Sequence, residues 1–167
     1  MSDAEVARPY PCDAFASGPA PAAWRGVTVR APAAAVWPWV RQIRLAPYSY
    51  DWIDNLGRRS PRELRDLPDP VPGDRLTASA GRPIGRVLAV EPGVHLTGRI
   101  MGALMSWVLV PVRDDASRLL LKVVLPPRRV QAQLIAAGDL VMSRRQLLNL
   151  ARLAEGRPGP SPTPQSK

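Results

Sequence analysis

The sequence predicts an α+β fold: a curved antiparallel sheet of about six to seven strands wrapped around a long C-terminal helix, with two short helices after the first strand. Three observations carry this. From Asp74 to Pro126 the hydrophobic pattern has a period of two, and turn residues interrupt it at regular intervals. After Pro127 the period becomes helical and stays so to Ala151. Twenty prolines in 167 residues exclude a simple helical bundle, because proline belongs to turns, tails and first helical positions.

Residues 1–23 are rich in Ala, Pro and small polar residues and read as an extended N-terminal arm, free or docked in part. Trp24–Arg30 alternates, with Trp24, Gly26, Thr28 and Arg30 on one side and Val27 and Val29 on the other, as in a strand. Pro32 suits a first helical position, and Val36, Trp39, Val40 and Ile43 recur at helical spacing. Pro38 inside that pattern is expected to kink or shorten the helix. Ser49–Leu56 fits a second short helix, stopped by Gly57, and residues 58–73 form a polar loop.

Five strands are then expected: Asp74–Ala80, Ile84–Glu91, Val94–Ile100, Leu104–Val112 and Arg118–Leu125. Gly81-Arg82-Pro83, Pro92-Gly93, Gly102 and Asp114-Asp115-Ala116 make the turns between them. Such spacing gives a meander with sequential strands as neighbours. In the final helix Val130, Leu134, Ala137, Val141 and Leu148 share one face, and Gly138-Asp139 is expected to interrupt it. Glu155-Gly156 before Pro158 is a stop signal, and residues 156–167 are a disordered tail by composition. The expected organisation is therefore an arm (1–23), one domain (24–155) and a tail (156–167).

Net charge is +9, and all the basic residues but Lys122 and Lys167 are arginine. They are spread along the chain, with no basic run interleaved with aromatics, which argues against nucleic acid as a partner. The single cysteine, Cys12, excludes an internal disulfide framework and a cysteine-rich zinc site. His95 is the only histidine, so no histidine cluster can hold a metal. Phosphate loops, a dinucleotide fingerprint and a nucleophile elbow are absent, and no cofactor is expected. The longest uncharged stretch, Ile100–Val112, is too short to cross a bilayer. Met1–Phe15 has no apolar run of a secretory signal, so a cytoplasmic protein, monomeric or homodimeric, is expected.

Several segments carry a resemblance: Ala31-Pro32 through Val36-Trp37-Pro38-Trp39-Val40-Arg41-Gln42, Tyr48-Ser49-Tyr50-Asp51-Trp52-Ile53-Asp54-Asn55-Leu56, Pro72-Gly73-Asp74, Val90-Glu91-Pro92-Gly93, Ser106-Trp107 and Gly138-Asp139-Leu140-Val141-Met142-Ser143-Arg144-Arg145. In these the chain resembles the SRPBCC superfamily, also called START-like or birch-pollen-allergen-like, which includes polyketide cyclase/dehydrase proteins. The resemblance implies the helix-grip fold and a cavity beneath the C-terminal helix. It does not imply one activity, since the superfamily hosts binding proteins, cyclases and regulators on one scaffold.

The leading reading is a protein that binds a small apolar ligand, lipid-like or polyketide-like, in that cavity. Trp107, Leu121, Val123, Leu134, Val141 and Leu148 are expected to form its walls, and Tyr48, Arg99 and Arg144 to orient the ligand. Arg144 falls between Ala137 and Leu140 on a helical wheel, hence on the apolar side. Leu104–Val112 is apolar on both faces, which makes Trp107 either the cavity floor or an outward anchor; the floor is the expectation. An enzyme of the cyclase/dehydratase type would use Asp51 or His95 as acid or base. A third reading is a basic module that docks an acidic partner. Asp51 and Asp54 are expected to approach Arg144 or Arg145.

Overall fold

The computed structural model describes residues 1–126 and 131–156, with residues 131–141 described by their backbone alone. The elements run α1 (Asp3–Ala7), a 3-10 turn (Pro11–Phe15), β1 (Ala22–Val29), α2 (Ala33–Arg41), a second 3-10 turn (Gln42–Leu45), α3 (Asp51–Asp54), β2 (Arg75–Ser79), β3 (Arg82–Glu91), β4 (His95–Ile100), β5 (Ala103–Arg113), β6 (Ala116–Val124) and α4 (Gln131–Ala154). All six strands form one antiparallel sheet in the order β1-β6-β5-β4-β3-β2, with β1 and β2 as its edges. The meander is continuous from β2 to β6, and β1 closes against β6 by pairing Trp24 with Lys122 and Val27 with Leu119.

Turn chemistry sets the strand ends. Ala80 and Gly81 both have positive φ (51° and 81°), as do Met101 and Gly102 (49° and 87°). That is the backbone of a two-residue hairpin whose twist matches the flanking strands. Accordingly β3 begins at Arg82 and includes Pro83, which the sequence assigns to the turn. Pro38 sits inside α2 without ending it, and the helix tightens into the 3-10 turn at Gln42.

The expected break at Gly138-Asp139 is absent: α4 runs unbroken from Gln131 to Ala154. One glycine in a helix costs about 1 kcal/mol relative to alanine, which does not interrupt a helix this long. Where its side chains are described, the buried face is Ser143, Gln146, Leu147, Leu150 and Ala151. Two of those five are polar, which disguises the stripe in sequence.

Two cores flank the sheet. On the α4 side Leu76, Val87, Leu96, Met105, Trp107, Leu109, Leu119, Leu121 and Val123 pack with Val36, Trp39, Val40 and Ile43 of the α2 segment and with Leu147 and Leu150. On the other side Leu104, Val108, Leu120 and Val124 pack under Tyr10 and Cys12, with Phe15 and Trp24 at the rim. The N-terminal segment is thus not an extended arm but two short helical turns laid on the back of the sheet.

A capping box between Ser2 and Glu5 starts α1. Glu5 then meets Arg118 at 2.7 Å and Asp13 meets Lys122 at 2.6 Å, while the Cys12 N–H donates to Ser106 Oγ at 2.9 Å. This second core is why β5 is apolar on both faces. Among the described residues no helix is long and apolar enough to cross a membrane.

Candidate functional site

Strand parity decides which residues can face a ligand under α4. Arg25 is paired with Leu121, and Trp107 with Leu121 on the opposite side of β6, so all three project toward α4. Trp107 is buried, and its Nε1–H donates to Gln146 Oε1 at 2.8 Å, while Gln146 Nε2 donates to the Pro47 carbonyl at 2.6 Å. One α4 side chain therefore joins the sheet to the loop that precedes α3. Leu121 and Val123 are fully buried on this same face.

Trp107 is therefore not an outward anchor: it lies on the helix side, packed in the core with Leu121 and Val123, and none of the three lines a described groove. Leu134 and Val141 lie in the part of α4 whose side chains are outside the described ones.

Where β1 and α4 diverge there is a groove of about 660 Å³, lined by Met1, Trp24, Arg25, Gly26, Tyr50, Arg144, Arg145 and Leu148. That volume lies within the range of small-molecule sites. Arg145 stacks over the Tyr50 ring at 5.5 Å. Leu148, expected as a cavity wall, is half-buried and lines this groove.

Arg144 is exposed, not on the apolar face, because the buried stripe of α4 passes through Ser143 and Leu147 instead. The same shift of phase removes the expected carboxylate contact. Among the described residues no ion pair joins Asp51 or Asp54 to Arg144 or Arg145; α3 and α4 are tied by Tyr50 beneath Arg145 and by Asn149 Nδ2 donating to the Tyr48 carbonyl at 2.9 Å.

Asp51, expected as an acid or base, and Tyr48, expected to orient a ligand, are engaged elsewhere. Asp51 accepts from the Ser60 backbone N–H at 2.9 Å and from the Ser60 hydroxyl at 2.6 Å, which pins the loop after α3. Tyr48 is buried, and its hydroxyl accepts from Gln42 Nε2 at 2.6 Å. Burial pushes its phenol up to about 12, partly offset by that hydrogen bond. Asp54 is also pushed up by burial, an effect the Ser49 hydroxyl lowers and the Asp51 charge increases.

His95 lies on the opposite face: its partner across the ladder is Val108, which belongs to the core under the N-terminal segment. Burial lowers its imidazole below the ordinary value, against the pull of Glu91 at 3.9 Å. Asp51 and His95 therefore form no pair. Arg99 is likewise on the face away from α4, exposed, paired with Leu104 and beside Phe15–Ala20 in a smaller groove of about 270 Å³. It cannot orient a ligand under α4, because the residues that share its parity on β4 all face the N-terminal segment.

Sequence reasoning missed Arg25, although the signal was present: it shares parity with Val27 and Val29, so it is a charge on the apolar side of β1. No group of His, Cys, Asp and Glu side chains able to hold a metal ion occurs among the described residues.

No family model matches the chain, and no curated protein is similar to it in sequence. Solved structures are similar in shape. An AHSA1-like protein from Rhizobium etli superposes with a TM-score of 0.55 at 19% identity, covering 91% of this chain and 93% of that one. The Zhui aromatase/cyclase from a Streptomyces species gives 0.53 at 17% identity, covering 81% and 93%. A protein from Thermobifida fusca gives 0.55 at 18% identity, covering 80% and 92%. At such identities the likeness is one of fold. With its order of strands, its short helices after β1 and its long terminal helix across the sheet, the chain has the helix-grip fold of these structures.

Proposed function

We propose that the protein binds a small apolar molecule, lipid-like or polyketide-like, between the sheet and α4, and that its role is binding rather than turnover. The observation that carries this reading is the groove of about 660 Å³ at the rim of the α4-side core, where Leu148 and Tyr50 offer apolar surface beside a few polar groups. Burial of an apolar body at about 25 cal/mol per Å² supplies affinity, and the polar groups supply orientation. Binding is favoured over acid–base chemistry because Asp51 is spent on Ser60 and His95 lies behind the sheet. We place the protein in the cytoplasm and its partner among small molecules rather than nucleic acids.

Native mass spectrometry of the purified protein tests for a retained ligand. A fluorescence titration with fatty acids and aromatic polyketides, repeated in Trp107→Phe to isolate that indole, tests for saturable binding. Binding lost in Leu148→Arg supports the reading. A poly-ketone substrate turned over by the protein, with activity lost in Asp51→Asn or His95→Gln, replaces it by the cyclase reading.

A further inference from the structure

We infer that the β1–α4 groove receives the acidic end of an amphipathic ligand, a carboxylate or phosphate held by Arg25, Arg144 and Arg145. This rests on the reading above and adds the ligand's chemical class to it. Three guanidinium side chains line one groove, and no carboxylate lines it with them. Elsewhere in the molecule three arginines drawn against another element are matched with acids: Arg41 with Asp69, Arg44 with Asp74, Arg118 with Glu5. Among the described residues none of the three groove arginines is in an ion pair. Cations gathered without a counter-charge repel one another, and an anion relieves that repulsion.

Hydrogen bonding points the same way. Among the described residues, two buried donors on groove residues, Arg145 Nε and Trp24 Nε1, have no acceptor. A buried donor left unmet is costly, and an anionic oxygen is the acceptor that a guanidinium fits best, through its planar fork. Tyr50 beneath Arg145 holds that fork in place. Leu148 and the Tyr50 ring flank the charged end with apolar surface, which suits an anion carried on an apolar body rather than a free ion. The groove also follows an edge strand, but Arg25 Nη1 donates to the Trp24 carbonyl of that strand at 2.7 Å, which occupies the edge an incoming peptide strand would need.

The test is a calorimetric titration of the full chain with decanoate, decyl phosphate, 1-decanol and acetate, each below its aggregation concentration. Decanoate or decyl phosphate is expected to bind at least about tenfold more tightly than decanol, the value of one charge-assisted contact, and comparison of the two acids tells carboxylate from phosphate. In Arg144→Gln/Arg145→Gln the ratio of decanoate to decanol affinity falls to about twofold or less. The exposed single variant Arg144→Gln, which does not endanger folding, already reduces it.

Equal binding of decanol and decanoate in the unmodified protein, or a preference untouched by the double variant, overturns the inference and leaves the apolar reading standing. Acetate binding as tightly as decanoate does the reverse: the anion site stands and the apolar reading falls. Binding of none of the four overturns both.

Discussion

Replacing Gln146 by leucine isolates the one side chain that ties α4 to both the sheet and the loop before α3. Gln146 is buried, accepts from Trp107 Nε1–H at 2.8 Å and donates to the Pro47 carbonyl at 2.6 Å. Leucine leaves an indole N–H and a carbonyl without partners, each costing about 1–3 kcal/mol, and returns roughly 1–2 kcal/mol through its own apolar burial. The net loss is about 2–3 kcal/mol, or roughly 5–10 °C in Tm for a chain of this size. Urea and thermal unfolding should be followed by far-UV circular dichroism, because Trp107 itself reports on fluorescence.

Trp107→Phe breaks the same bond from the other side. In the double variant the two losses should fall short of their sum by about 1 kcal/mol, since each single change strands a partner that the double change removes. A loss below about 0.5 kcal/mol for Gln146→Leu, or losses that add to within about 0.5 kcal/mol, refutes the view that this bond holds α4 in place.

Deleting residues 1–16 should uncover Leu104, Val108, Leu120 and Val124, so that the truncated chain binds a hydrophobic dye and self-associates in size-exclusion chromatography; unchanged elution and no dye binding would contradict the second core. Gly98→Ala should destabilise by about 1–3 kcal/mol, as a methyl there falls 2.5 Å from Leu76 Cδ2 and 2.8 Å from the Arg86 carbonyl oxygen, and Leu76→Ala should restore only part of the loss because the carbonyl does not move. Tyr48, with its phenol pushed up to about 12, should make stability fall with alkali. The unfolded chain ionises first near its ordinary 10, so the contribution is whole below that pH and is lost as pH rises toward about 12, amounting to about 3 kcal/mol. Unfolding at pH 9 and pH 12, compared with Tyr48→Phe, measures this directly.

Strands and turns were legible because each turn has its own chemistry: Gly81 and Gly102 stand where positive φ is needed, and period two on either side fixes the faces. Lys122 lies on the side of β6 away from α4, over Tyr10 and Trp24 at 5.5 and 5.2 Å, against the N-terminal segment. That segment was harder to read, since Ala and Pro carry little periodicity, although Ser2 and Glu5 have the spacing of a capping box and both faces of β5 asked for a cover. The face of α4 was misjudged for a different reason. Gln146 and Ser143 are buried polar residues whose partners lie far off in sequence, and Pro47 and Trp107 are invisible to a helical wheel.

The candidate acids failed for the same reason, and the backbone at Tyr48 shows it most plainly. Tyr48 has φ of 57°, a conformation that costs a side-chain-bearing residue about 1–2 kcal/mol. Three polar contacts hold it there: its N–H donates to Ser60 Oγ at 3.2 Å, its carbonyl accepts from Asn149, and its hydroxyl accepts from Gln42. Ser60 is itself fixed by both oxygens of Asp51, and Gln42 Oε1 accepts from the Arg65 N–H at 2.7 Å. Tyr48, expected to orient a ligand, and Asp51, expected as an acid or base, are thus parts of one polar lock on the loop from Pro47 to Arg65. That lock fixes the turn into Tyr50, and Tyr50 is the ring on which Arg145 rests at the groove. Asp51 acts on the site by position, through Ser60 and the loop, so Asp51→Asn should lower ligand affinity and unfolding stability together, and a loss of affinity at unchanged stability would refute this.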